Sequence, residues 1–369
     1  MKFKLWERWK NGLVERFSWS VGVDLGTVNS WWMMPGKGVL WNDPSVVARR
    51  KKKKYYGMMA PNKSGGQIVA FGKQAKMMIG KEPAQLEIVY PLRNGVIADF
   101  EVTKEYIARY LELLGETPSR FPKLMKPRVV VGVPSGVTAV ERRAVKVAFL
   151  EAGAGEVFLA DEALLAAVGA GMPVESSAGM LVVDIGGGTT EIALVSLGGV
   201  VLSRCLPVAG EEMDQAVANF VKMKYGLLIG EPTAERVKIE LGSVRKISKE
   251  EKVMVVRGRA LDGGLPKSVR VNAEEVREAL APIVQKIVKE LVALIEESPP
   301  ELLGDVVKKG IALAGGGALL EGMAEMVEEE TKMGAWVVPE PMGAVARGCQ
   351  RLLEERELLE GVVFKGFSK

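Results

Sequence analysis

A chain of 369 residues, 48% hydrophobic and 26% charged, has enough apolar surface for a packed core and enough length for two domains. Its net charge of +4 is too mild to argue for nucleic acid, and the absence of histidine excludes a serine–histidine relay and histidine-ligated metal, leaving acid–base work to carboxylates, lysines or water. The two cysteines, Cys205 and Cys349, stand far apart and match no metal spacing; with no signal peptide they read as reduced thiols of a cytosolic protein, and no segment reads as a membrane span.

Residues 1–17 are rich in aromatic and basic side chains. At ~100° per residue, Phe3, Trp6, Trp9, Leu13, Val14 and Phe17 fall on one arc, with Lys4, Arg8, Asn11 and Glu15 opposite. Such a helix is built to lie in a membrane surface, with Lys10 snorkelling from the apolar arc and Gly12 lowering helix propensity by about 1 kcal/mol. A strand begins at Ser20 and runs through VDLG into a short turn, then into NSWWMM. The basic, glycine-bearing stretch over residues 49–72 reads as a solvated loop.

KPRVVVGVPSG reads as a buried strand ending in a turn, and VTAVERRAVKVAFLEAG as a helix ended at Gly153. EVFLADEALLAAVGAG repeats that plan with a helix of small residues, and then VVDIGGGTTE repeats the first hairpin: apolar strand, aspartate, glycine turn with threonine, second strand. Asp24 and Asp184 stand 160 residues apart (184 − 24), a period that predicts two similar halves rather than a solenoid. Further on, EEMDQAVANFVKMKYG, TAERVKIELGS and AEEVREALAPIVQKIVKELVALIEES read as helices, the last broken by Pro299-Pro300. Between them VMVVRGRALDGGLPKSVRVN reads as a β-hairpin, and GIALAGGGALLEGMAEMVEEET as strand, glycine turn and helix. Strands alternating with helices make the fold class α/β.

In order along residues 20–353, VGVDLGTVNS, GVLWNDPSVVA, YPLRNGVIADFEVT, VGVPSGVTAVERRAV, VVDIGGGTTEIALVSLGGVVLSR, VAGEEMDQAV, LLIGEPTAERVKIELGSV, GIALAGGGALLEGM and EPMGAVARG resemble the MreB family of bacterial actin homologues. The resemblance implies an actin-like, ribonuclease H-like duplicated fold, with two domains around a nucleotide cleft and a small subdomain on each. It implies domain I over residues 18–176 with an insert at about 46–88, completed by a C-terminal helix over 343–369. Domain II would span 177–342 with an insert at about 208–273.

The same resemblance implies ATP and Mg²⁺ as cofactors. Asp24 and Asp184 would hold the ion through water. Gly26, Thr27 and Asn29 in the first turn, Gly186, Gly187, Gly188 and Thr189 in the second, and Gly210 would meet the phosphates. Glu235 and Lys238 would flank adenine and ribose, and Gly315, Gly316 and Gly317 would let the nucleoside lie on the backbone. Glu141, with Thr189, would carry catalysis by orienting the attacking water. Membrane contact would come from Phe3, Trp6, Trp9, Leu13 and Phe17 together with Leu124 and Met125.

The implied function is a slow ATPase that forms paired homopolymeric filaments on the inner face of the cytoplasmic membrane and guides the cell-wall elongation machinery in rod-shaped cells. Alternatives within the superfamily are an FtsA-like division protein, a plasmid-segregation filament and a chaperone-type ATPase. Two departures from the family pattern stand out: DEALLAA, where a proline-containing EEPMAA is usual, and the bulky run from Trp31 to Met34.

Overall fold

A computed structural model describes residues 19–51, 66–117, 126–246 and 252–362. The segment 1–17, residues 52–54 of the basic run, and Leu124 and Met125 lie outside these residues. Two five-stranded sheets organise the chain. The first runs in the order Glu156–Asp161, Arg128–Val133, Ser20–Leu25, Asn29–Met34, Gly38–Pro44. The second, written from the matching edge, runs Ala335–Val337, Ile311–Ala314, Met180–Ile185, Thr190–Ser196, Gly199–Leu206. In each, the central strand pairs parallel with one neighbour and antiparallel with the other, so the two sheets share order and direction. The duplication predicted from the aspartate spacing is therefore a duplication of sheets.

Strand Met180–Ile185 is buried at every position, as expected of a central strand covered on both faces. Helices Phe100–Glu116 and Ala139–Glu151 cover the outer face of the first sheet, and Gly210–Tyr225, Glu231–Leu241 and Ala273–Glu297 cover the second. The longest of these starts from an Asn272–Glu275 capping box and buries Val276, Leu280, Val284, Ile287, Leu291 and Leu294 along one stripe. Pro299 and Pro300 end it and open a separate helix, Pro300–Lys309, which the sequence reading did not separate out.

Between the two sheets lies a third apolar layer built on helices Glu162–Gly169 and Ala344–Glu354. These helices cross with backbone against backbone: a Cβ on Gly348 would collide with the Leu165 carbonyl oxygen, and one on Gly169 with that of Ala344. One expectation needs correction. The C-terminal helix over 343–369 is not continuous, because Glu355 is extended (φ −116, ψ 95) and divides Ala344–Glu354 from Arg356–Val362; residues 363–369 lie outside the described residues.

Two small three-stranded sheets stand above the large ones. Val47–Arg50 pairs with Ile68–Phe71 and Leu86–Val89, next to the short helix Gly72–Lys76. Val253–Ala260 pairs with Pro266–Asn272 and Leu227–Leu228, forming the hairpin read from the sequence. The first small sheet packs on little more than Val46, Ala48, Ala70 and Ala75, so it depends on its neighbours for stability.

The crossing of the two inner helices generates a prediction. Gly348→Val should destabilise the protein by at least about 2 kcal/mol through overpacking, measured as a lowered denaturant midpoint. An unchanged midpoint would contradict the close approach.

Candidate functional site

The central strand of each large sheet carries an aspartate at its penultimate position and leads into a glycine-containing hairpin turn. Asp24 and Asp184 occupy equivalent registers, opposite Trp31 and Glu191 respectively. The two turns touch each other: a Cβ on Gly188 would lie 2.5 Å from Thr27 Oγ1, and one on Gly187 would collide with Val28. Thr27 Oγ1 accepts a hydrogen bond from the Gly95 N–H at 2.9 Å, which fixes the first turn. The second is fixed by the start of helix Gly210–Tyr225, where Gly210 N–H donates to Gly186 O at 3.1 Å and Glu211 N–H to Gly187 O at 2.8 Å. A third strand contributes Gly315 at φ +77, where a Cβ would lie 2.5 Å from Asp184 Oδ1.

These elements enclose a cleft of about 380 Å³. Its walls include Asp24, Gly26, Thr27 and Asn29 from the first hairpin, Asp184, Gly186, Gly187, Gly188 and Thr189 from the second, and Gly210, Glu235, Lys238, Gly315, Gly316 and Gly317. Lys238 reaches inward to Gly210 O at 3.0 Å and to Asp214 at 2.9 Å. Glu141 is not brought to this wall. It sits at the third position of helix Ala139–Glu151, where its Oε2 accepts from Thr138 N–H and Thr138 Oγ1, each at 2.8 Å, while Thr138 Oγ1 accepts from Glu141 N–H. Those hydrogen bonds lower its pKa and make it a capping residue in this conformation.

Three acids on the cleft wall escaped the sequence reading: Asp214, which pairs with Lys238, Glu162 and Glu191. Glu162 follows Asp161, the N-cap of the inner helix, in the DEALLAA stretch that departs from the family pattern. Glu191 is the seventh residue after Asp184, as Trp31 is after Asp24, so the internal repeat marks the position and strand alternation points it into the cleft. Glu191 is 1% exposed; its Oε2 accepts from Ser135 Oγ at 2.5 Å and Ser135 N–H at 3.3 Å, and its Oε1 is buried with no hydrogen-bond partner among the described residues.

Burial raises the carboxyl pKa values throughout this group. Asp24 is pushed up to about 7 and Glu191 to about 7 by desolvation. Asp184 is pushed up to about 8 by desolvation and by the charges of Asp24 and Glu191. Desolvation and the surrounding acids hold Glu162 well above the usual range. Four carboxyls facing one space call for a cation, and oxygen donors of this kind suit a hard divalent ion. Among the described residues no group of three or more acidic or cysteine side chains is arranged to hold a metal directly. The donor set thus fits an ion that keeps its own waters, as Mg²⁺ does, with the unpartnered Glu191 Oε1 free to accept from such a water.

A model of the MreB/Mbl protein family matches residues 18–361. The chain belongs to the MreB/Mbl family. It is 40% identical over 348 residues to the cell shape-determining protein MreB of Escherichia coli strain K12, covering 94% of this chain and 97% of that one. Among solved structures it is similar to MreB5 of Spiroplasma citri bound to ADP, with a TM-score of 0.83, 33% identity, and 91% and 96% of the two chains covered. The AMPPNP-bound form of the same protein gives the same score and identity, covering 93% and 97%. This member of the MreB/Mbl family thus has the actin-like duplicated fold and is a bacterial actin-like cytoskeletal protein that maintains cell shape.

The raised carboxyl values give the metal-free MreB/Mbl chain a definite pH dependence. Unfolded, Asp184 loses its proton near its ordinary 3.8; folded, it keeps it to about 8, so stability falls as pH rises through that window. Asp184→Asn should raise the stability of metal-free, nucleotide-free protein at pH 8 by at least about 1 kcal/mol and leave it little changed at pH 4. Thermal denaturation at the two pH values checks this, and an equal effect at both would rule it out.

Proposed function

We propose that the cleft binds ATP with Mg²⁺ and hydrolyses it slowly, and that nucleotide state controls assembly of the chain into homopolymeric filaments. The observation that carries this reading is the pair of touching glycine-containing turns, headed by the half-buried Asp24 and the buried Asp184, in a cleft of about 380 Å³. Backbone N–H groups of such turns cradle phosphate oxygens, so the turns would grip a polyphosphate from opposite sides. Asp24 and Asp184 would hold the ion through its waters, with Glu162 and Glu191 accepting from the outer waters. The ion would neutralise phosphate charge and orient the terminal group.

Thr189 joins the second phosphate turn. The nucleoside lies against the backbone of Gly315, Gly316 and Gly317, with Glu235 and Lys238 beside the adenine and ribose. Glu141 orients the attacking water, which requires its carboxylate to leave the Thr138 capping box. The turn before that box is tied to the second sheet through Ser135 and Glu191, so cleft movements bear directly on it. The two moving bodies are residues 18–176 with the C-terminal helices, and residues 177–342.

Glu141→Ala should retain ATP binding while cutting turnover by about 10²-fold, the scale of lost general-base assistance. Asp184→Ala should instead weaken Mg-ATP binding itself. Equilibrium binding alongside phosphate release separates the two roles; full turnover by Glu141→Ala excludes it as the water-orienting group.

The amphipathic pattern of residues 1–17 supports a second element of the proposal: filaments lie on the inner face of the cell membrane and work with the cell-wall elongation machinery. Among the described residues no helix is long and apolar enough to cross a membrane. One interfacial helix binds weakly, and linking many in a polymer raises avidity by roughly 10²–10⁴. Deleting residues 1–17 should abolish filament sedimentation with anionic liposomes while sparing ATP binding. In the truncated background, Leu124→Ser with Met125→Ser should remove any remainder. Undiminished sedimentation after truncation would assign the segment to the protein's own core.

A further inference from the structure

The halves of the molecule touch at the floor of the cleft, through Gly187 with Val28, Gly188 with Thr27, and Glu191 with Ser135. They touch again at its mouth. Lys76, the last residue of helix Gly72–Lys76, places its ammonium across both oxygens of Glu235, at 2.8 Å from Oε1 and 2.6 Å from Oε2. Tyr90, just after strand Leu86–Val89, donates its hydroxyl to Glu231 Oε2 at 2.8 Å. Both donors flank the first small sheet, one in its adjoining helix and one just past its edge strand, and both acceptors come from helix Glu231–Leu241, where they stand one turn apart.

The charge arrangement shows what the donors from the opposite half contribute. Glu231 and Glu235 face Glu211 and Asp214 around a cavity of about 30 Å³ under the contact, room for one water. Lys238 answers Asp214 from its own helix. Lys76 supplies the second ammonium, and the Tyr90 hydroxyl, its pKa pushed up by burial and by Glu231, stays a donor at any working pH.

The contact is also connected to the phosphate end. Glu235 lines both this cavity and the main cleft. One turn along the same helix, Lys238 donates to Gly210 O at 3.0 Å, and Gly210 N–H donates to Gly186 O in the second glycine turn at 3.1 Å.

We propose that Lys76 and Tyr90 form a clasp across the cleft mouth that sets how fast nucleotide leaves, with Lys76 also acting as a positioning residue that holds Glu235 ready for the nucleoside. This rests on the nucleotide reading of the cleft. With the clasp closed, a bound nucleotide lies between the touching turns and a locked mouth; it departs when the ion pair and the phenol hydrogen bond break together.

The test is stopped-flow release of a fluorescent N-methylanthraniloyl-ATP from full-length protein in Mg²⁺, below the assembly threshold, chased with excess ATP. Lys76→Ala should accelerate release by roughly five- to tenfold and Tyr90→Phe by roughly two- to threefold, the range expected of half-buried polar contacts. Lys76→Arg, which keeps the charge, should release at close to the parental rate. Raising salt from about 50 to about 500 mM should speed the parent more than Lys76→Ala, because only the parent has the ion pair to screen. A general loss of stability would lower the melting temperature without producing that salt difference. Parental release rates in Lys76→Ala, or equal acceleration by Lys76→Arg, would overturn the clasp. Failure of the parent itself to bind the fluorescent nucleotide would overturn the nucleotide reading, and the clasp with it.

Discussion

Two hairpin turns from different sheets approach until the side chains of Thr27 and Val28 on the first leave no space for a side chain on the second. Gly188 and Gly187 lie against Thr27 and Val28 so closely that any Cβ would force them apart. Because each turn is continuous with the central strand of its own sheet, this contact fixes the relative placement of Asp24 and Asp184, and hence the width of the space between them. The helix beginning at Gly210 hydrogen-bonds to the same turn, so the roof of the cleft is referenced to the same point. The backbone of the second turn is thereby left bare toward the cleft, which is the arrangement that lets main-chain N–H groups meet an anion.

The duplication is geometrically faithful and chemically lopsided. Order, direction and register agree between the two sheets, yet the residue opposite the key aspartate is tryptophan in one and glutamate in the other. Only the second half therefore adds an acid beside its aspartate, and Ser135 from the first half ties one oxygen of that acid. Glu162, delivered by the inner helix, completes the negative wall. The resulting repulsion destabilises the empty site and favours a cation, an instance of binding function being built at the expense of fold stability.

Much of this was legible in the sequence. The strand–aspartate–glycine–threonine pattern appears twice at a fixed interval, and nearly every residue it marks stands on the cleft wall. Glu162 was hidden because a carboxylate at the start of a helix of small residues looks like an ordinary first-turn acid. Glu191 was hidden inside an apolar strand, and only its register against Asp184 reveals it. Glu141 illustrates the opposite case: the motif around it is intact, but its carboxylate is held by Thr138, and the Thr138-x-x-Glu141 spacing is itself the sequence signature of such a capping box. Long-range contacts such as Lys76 with Glu235 link residues 159 positions apart and have no local signature at all.

The inner layer has a consequence for how the chain is made. Helix Ala344–Glu354 covers the first strand of the first sheet, with Cys349 Sγ donating to Val23 O across 326 residues of sequence and Gly22 pressed against the Gln350 backbone. A nascent chain emerging at ~5–20 residues per second would wait roughly 15–65 s between synthesising that strand and synthesising its cover. Throughout that interval the part of the first sheet that this helix covers, at Gly22, lacks its permanent partner. Completion of the N-terminal half is thereby deferred until residues 344–354 have been made, and the partly made protein carries an apolar surface that must be shielded by other means.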